Sequence, residues 1–174
     1  MSQTVSVPNQ GLIQVTRVYY SNKALAGTAI NAQVKPGYAV CWDMANAAPG
    51  ETANRGRVVN KPESGNLHLF AGIVTKVDQL PTTSGGVVNG DAGWIEIAVA
   101  GHNVSAFTAA NQTRNTTALV VTAGQWYLSA STGTSLHTTA VLFALVGISL
   151  ETVDTSSTNA NARICLKGMG LSPV

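Results

Sequence analysis

Apolar and polar positions along this chain alternate in short runs; they do not recur every three or four residues. From Leu12 to Tyr20, the residues Leu12, Gln14, Thr16 and Val18 interleave with Ile13, Val15, Arg17 and Tyr19. From Trp94 to Val99, the set Trp94, Glu96 and Ala98 interleaves with Ile95, Ile97 and Val99. A period of two sends successive side chains to opposite faces, so both runs predict strands. Further β-like runs fall at Ala32 to Trp42, Leu67 to Val77, Leu119 to Val121, Gln125 to Leu128, Val141 to Leu150 and Ala162 to Leu166. Many short strands punctuated by turn residues predict an all-β chain, either a small β-barrel or a β-sandwich. The best helix signal is Ser105 to Gln112, one or two turns at most.

Turn chemistry divides these runs. Pro36-Gly37 predicts a turn into a strand carrying Tyr38, Val40 and Trp42. Two loops are long: Ala45 to Gly65, which holds Arg55, Arg57 and Lys61, and Gln79 to Gly93, whose Asn89-Gly90 pair is a hairpin signal. Loops of this length in a small β-protein usually serve contact or function. The first eleven residues carry no charge and include Pro8 and Gly11. They read as an extended arm before a single β-domain spanning 12–174. The arm either frays, the default for a terminus, or lays Val5, Val7 and Pro8 along a neighbouring subunit.

The chain also echoes itself. Val34 to Val40 is echoed by Val121 to Tyr127, Phe70-Ala71-Gly72-Ile73-Val74 by Leu145-Val146-Gly147-Ile148-Ser149, and Ile95 to Gly101 by Ala162 to Gly168. The order is the same in both sets, which predicts pseudo-repeats over 34–101 and 121–168. A glycine inside a strand marks a bulge, a bend or the close approach of another backbone.

Charge changes the picture. Only 10% of residues are charged, against about 25% in ordinary domains. The surface is covered instead by Thr, Ser, Asn, Gln and Ala, which suit strands and protein-covered faces better than solvated helices. A net charge of +2 with cations scattered from Arg17 to Lys167 lacks the dense basic patch of a nucleic-acid binder. The Arg55, Arg57 and Lys61 trio reads first as a solvated loop, and otherwise equally as a contact for an acidic protein neighbour or for DNA phosphates. The longest apolar stretch, Ala140 to Ile148, falls far short of the ~20 residues that span a bilayer. The first residues have neither a basic nor an apolar run, so synthesis in a cytoplasm is expected. Cys41 and Cys165 are then expected as reduced, buried small hydrophobes.

Catalytic patterns do not emerge. His68, His102 and His137 stand in no metal-ligand spacing, and no nucleophile elbow, P-loop or dinucleotide fingerprint occurs. No cofactor or metal is expected. Glu96 is the strand acid beside an aromatic, and reads as an outward-facing edge guard. Trp42, Trp94 and Trp126 read as core or interface anchors, with a carbohydrate platform as the alternative.

Taken in order, Pro36-Gly37-Tyr38-Ala39-Val40-Cys41-Trp42-Asp43, Gly72-Ile73-Val74 and Gly93-Trp94-Ile95-Glu96-Ile97-Ala98-Val99-Ala100-Gly101 resemble the small capsid decoration (cement) proteins of tailed bacteriophages. The likeness spans roughly Val34 to Gly168 through short, degenerate motifs, and departs at Tyr38 and in the long loops after Asp43 and Lys76. It implies a β-tulip-like domain on the virion exterior, self-associated with a trimer favoured. It further implies a non-enzymatic role: bridging neighbouring major capsid subunits and stabilising the shell. The contact candidates are Val5, Val7, Pro8, Arg55, Arg57, Lys61, Trp42, Trp94 and Trp126. The competing expectation is a glycan- or receptor-binding β-domain of a phage fibre or lectin-like protein.

Overall fold

The computed structural model describes residues 13–26, 33–53, 56–78, 92–109, 118–130, 145–152 and 159–166. The whole of the expected arm, the Asn89-Gly90 pair and Arg55 lie outside them. The described residues are all-β, with one 3-10 turn at Leu67–Leu69 and no α-helix among them. The strands are β1 (Gln14–Tyr20), β2 (Ala39–Trp42), β3 (Val58–Asn60), β4 (Phe70–Val77), β5 (Gly93–Thr108), β6 (Ala118–Val121), β7 (Leu128–Ala130), β8 (Leu145–Ser149) and β9 (Ala160–Leu166).

Two differences from the sequence pattern have simple causes. Ser105 to Thr108 extends β5 instead of forming a helical turn, because Val104, Ala106 and Thr108 are buried while Ser105 is exposed, a period of two. β3 lies inside the stretch that reads as a loop; its three residues are all buried.

The strands pair in the order β1-β3-β2-β4-β5-β7-β6-β8-β9, and β5 also pairs with β1 and β9. Those two extra pairings close the sheet on itself twice. The first ring holds β1, β3, β2, β4 and residues 93–100 of β5; the second holds residues 101–108 of β5, then β7, β6, β8 and β9. The handover lies where Gly101 (φ 143°) and Asn103 (φ 63°) turn the strand. The β5–β9 register shifts at the same place. Asn is among the residues that enter the left-handed region most readily.

Both rings use one pairing scheme. β1 meets β3 in parallel and β5 antiparallel; the second half of β5 meets β7 in parallel and β9 antiparallel. Val40 lies opposite Gly72 and Leu119 opposite Gly147, each just before a register shift. A β-carbon at Gly72 would strike the carbonyl oxygen of Ala98, and one at Gly147 that of Cys165. The glycine-centred and closing sequence blocks therefore occupy corresponding places. The block at Val121 to Tyr127 does not: β6 is the counterpart of β2, and the Ala123-Gly124 turn follows its strand where Pro36-Gly37 precedes. By pairing, the repeat runs over 14–100 and 101–166. Its second copy begins inside an unbroken strand, at the Gly101 to Asn103 turn of the backbone.

Two cores result. Val18, Tyr20, Val40, Val59, Ile95 and Ile97 fill the first ring. The second ring's Val104, Leu119, Leu128 and Ile164 pack together with Ala39, Cys41, Ile73 and Ala98 from the first ring's outer face. The wall of the first ring is thus covered on both sides, and Ala39, Val40 and Cys41 are all fully buried. Each large aliphatic side chain so placed contributes roughly 1.5–3 kcal/mol on leaving water. Backbone bonds stitch the halves: Ala39 N–H donates to the Trp126 carbonyl at 2.9 Å and Phe107 N–H to that of Gly37 at 2.7 Å. Both cysteines are free; Cys41 is buried, whereas Cys165 is half-buried on the outer face of the second ring.

Candidate functional site

Tyr19 and Tyr20 are consecutive on β1, so their rings leave opposite faces of the sheet. That single step separates two aromatic clusters. Tyr19 faces outward beside its cross-strand partner Trp94, with ring centres 5.6 Å apart and planes at 75°. The guanidinium groups of Arg17 and Arg57 lie over the same indole at 5.5 and 5.6 Å. Arg57 donates to the Glu51 carboxylate. Arg17 reaches Asp78 at 3.2 Å, Lys76 reaches it at 3.0 Å, and both cations are in register with Glu96.

The whole chain has ten cationic and eight acidic residues. Three of each (Arg17, Arg57, Lys76, Glu51, Asp78 and Glu96) form this one connected group. The Lys76 hydrogen bond and charge hold the Asp78 carboxyl below its ordinary value, and the same bond and charge hold the Lys76 ammonium above its own. Burial raises the Tyr19 phenol. Arginine and tryptophan together are the residue types that dominate partner-binding energetics.

The second cluster packs against the first core, with Tyr20 fully buried and the other rings half-buried. Trp126 stacks on Tyr38 at 5.1 Å with planes 21° apart and lies 6.1 Å from Tyr20. Tyr38 continues to Phe107 at 5.5 Å, and Phe107 to Tyr127 at 6.3 Å. Lys61 caps the Trp126 ring at 5.4 Å. Trp42, Tyr38 and Trp126 all pack on the first core. Burial raises the Tyr20 phenol.

The contact candidates from the sequence therefore separate. Trp94 and Arg57 come together on the outer face, while Trp126 and Lys61 come together against the core. Trp42 belongs to the first core. Arg57 and Lys61 serve different tryptophans and do not join in one basic patch. Val5, Val7, Pro8 and Arg55 lie outside the described residues. Sequence reasoning missed Arg17, Tyr19 and Glu51. Arg17 and Tyr19 stand two apart on one strand, as Trp94 and Glu96 do on another; only the pairing register shows that the two faces coincide.

Beneath the loop after β2, the fully buried Asp43 carboxylate collects donors. It accepts from Ala45 N–H (2.8 Å), Asn46 N–H (3.0 Å), the Asn46 side-chain amide (2.7 Å) and Ser21 Oγ (3.1 Å). Asn60, also fully buried, donates to Asp43 at 3.4 Å and to the Lys23 carbonyl at 3.0 Å, and accepts from Asn66 at 2.6 Å. This network fixes the loop that carries Glu51 and leads into Arg57. At the corresponding place in the second ring, among the described residues, stands a Thr122–Ser129 hydroxyl bond of 2.9 Å.

A cavity of about 300 Å³ opens between the rings, lined among others by Ile13, Pro36, Val74, Asn103, Val104 and Arg163; among the described residues no carboxylate, imidazole or thiol lines it. Among the described residues, no three His, Cys, Asp or Glu side chains gather as metal ligands. The chemistry these surfaces offer is recognition: an aromatic ring, two guanidiniums, and balanced charge. Comparisons of the chain with protein-family models, with curated proteins and with solved structures find no match.

Proposed function

We propose that the protein is a non-enzymatic virion structural protein that binds the outer surface of an assembled phage capsid. It associates with itself there and stabilises the shell by bridging neighbouring major capsid subunits. The observation that carries this reading is the outward Trp94 cluster. A chain with so few charges has concentrated a third of them around one half-buried tryptophan, which is the composition of a protein-binding hot spot. The doubly closed sheet supports it, because a rigid body loses little conformational freedom on docking. The resemblance of the Pro36–Asp43, Gly72–Val74 and Gly93–Gly101 phrases to capsid decoration proteins supplies the partner class.

The glycan-binding alternative wants an open aromatic platform beside Asp or Asn side chains. Trp94 instead has guanidiniums over its ring, which favours a protein partner. The discriminating experiment compares three probes: assembled shells lacking this protein, unassembled coat subunits, and a glycan array. Binding confined to assembled shells is expected. Saturable binding to a sugar without shell binding would replace this reading with the alternative.

A further inference from the structure

The first ring closes unevenly along β1. Toward β5, β1 is paired over its whole length, Gln14 to Tyr20; toward β3 it is paired only at Tyr19 and Tyr20. Tyr19 N–H donates to the Arg57 carbonyl at 2.9 Å, and Ser21 N–H to that of Val59 at 3.0 Å. Strand backbone repeats every two residues, so Val15 and Arg17 aim their N–H and C=O groups to this same side. The chain turns at Gly56 (φ 70°) just before β3. Among the described residues no strand lies beside Val15 and Arg17. The side chains agree: all four from Gln14 to Arg17 are exposed, on both faces of the sheet, Val15 at 55%.

We infer that this open edge of β1 receives the first residues of a second copy of the chain, within 1–12, as an added strand. An open strand edge is completed by extended backbone, so its partner is itself a strand. The single chain leaves the edge exposed although its own first residues are attached to β1, so the cover comes from another copy. Residues 1–12, which lie outside the described residues, have the right chemistry. They carry no charged side chain to keep two edges apart, and Thr4, Val5 and Val7 are β-branched. Pro8 has no N–H to give, so in an added strand it faces away from β1. Val5 and Val7 then aim their own N–H groups at the open edge. Each copy gives one strand and offers one edge. Mutual exchange therefore closes a dimer, and exchange passed round a ring closes a trimer.

The contact rests on the self-association proposed above and names its two halves. Sedimentation velocity of the full chain at rising concentration should show a species of two or three times 17.9 kDa. Hydrogen exchange at the Val15 and Arg17 amides should slow as that species forms. Val7→Pro removes an N–H aimed at β1 and should weaken self-association about tenfold. Ser6→Pro removes one aimed away and should leave it unchanged. A monomer at every concentration would overturn the inference, as would self-association that the two proline variants affect alike. Protection of Val15 and Arg17 that is independent of concentration would assign the edge to the chain's own first residues; protection only on capsids would assign it to a coat strand. Either result would also overturn it. Saturable capsid binding by a monomeric chain would leave the capsid reading standing alone; self-association through this edge without capsid binding would do the reverse.

Discussion

Gly72 and Gly147 occupy the same position in two copies of one strand arrangement, each pressed against a neighbouring backbone carbonyl, of Ala98 and of Cys165. The contact is with backbone, which cannot rotate aside as a long side chain would. Gly72→Ala and Gly147→Ala should each lower stability by about 1–3 kcal/mol or more. Gly124→Ala meets no neighbour but must adopt φ 74°; its cost should stay near 1 kcal/mol. Urea titrations of the three variants check the order.

Asp43 holds its loop through a buried carboxylate with at least four donors aimed at it. Asp43→Ala removes the buried acceptor of Ser21 and Asn60 and releases the Ala45 and Asn46 donors to solvent, and should lower stability by about 2 kcal/mol. Thr122→Ala, which removes only a half-buried hydroxyl pair, should cost about 1 kcal/mol. Thermal melts of both variants, run side by side, measure the difference between the two rings.

Trp94 and Trp126 should respond to truncation in opposite ways. Trp126→Ala empties a stack between Tyr38 and Tyr20 against the core and should cost about 3 kcal/mol of stability. Trp94→Ala should cost less, yet weaken partner binding by about 2 kcal/mol, some thirtyfold. Paired stability and binding measurements on both variants test the division.

Burial pushes the Cys41 thiol up to about 12 from an ordinary 9.0, and raises the Tyr20 phenol as well. Below pH 9 the thiol is protonated in both the folded and unfolded chain, so it adds no pH dependence. Between about 9 and 12 the unfolded chain releases the Cys41 proton while the folded one keeps it. Stability should therefore fall as pH rises through that window, approaching about 1.4 kcal/mol per unit for this group. Melting temperatures across pH 8 to 10.5 check the sign. In native protein near pH 8, thiol reagents should modify Cys165 and spare Cys41 until the chain unfolds.

The period-two runs made the all-β class legible, because a half-buried strand writes its two faces into alternate residues. β5 was legible only to Val99. Its continuation passes through Gly101-His102-Asn103, which reads as a break, yet there the backbone turns without ending the strand. β3 escaped because three residues between polar loops carry no countable period. Ala98 shares the polar-looking side of its run with Trp94 and Glu96, but is fully buried because the second ring covers that part of the wall. Such double burial is a property of the assembled rings. For the same reason Trp94 and Trp126 look alike in the sequence, although one faces outward and the other props a core.

The capsid-binding claim is tested most directly by titrating the purified chain against intact capsids that lack it and sedimenting the mixture. Bound protein should plateau at a fixed ratio to coat subunits, and Trp94→Ala should shift the curve to higher concentration without changing that plateau. Wild-type chain that stays in the supernatant at every concentration, or pellets in proportion without saturating, would contradict the account.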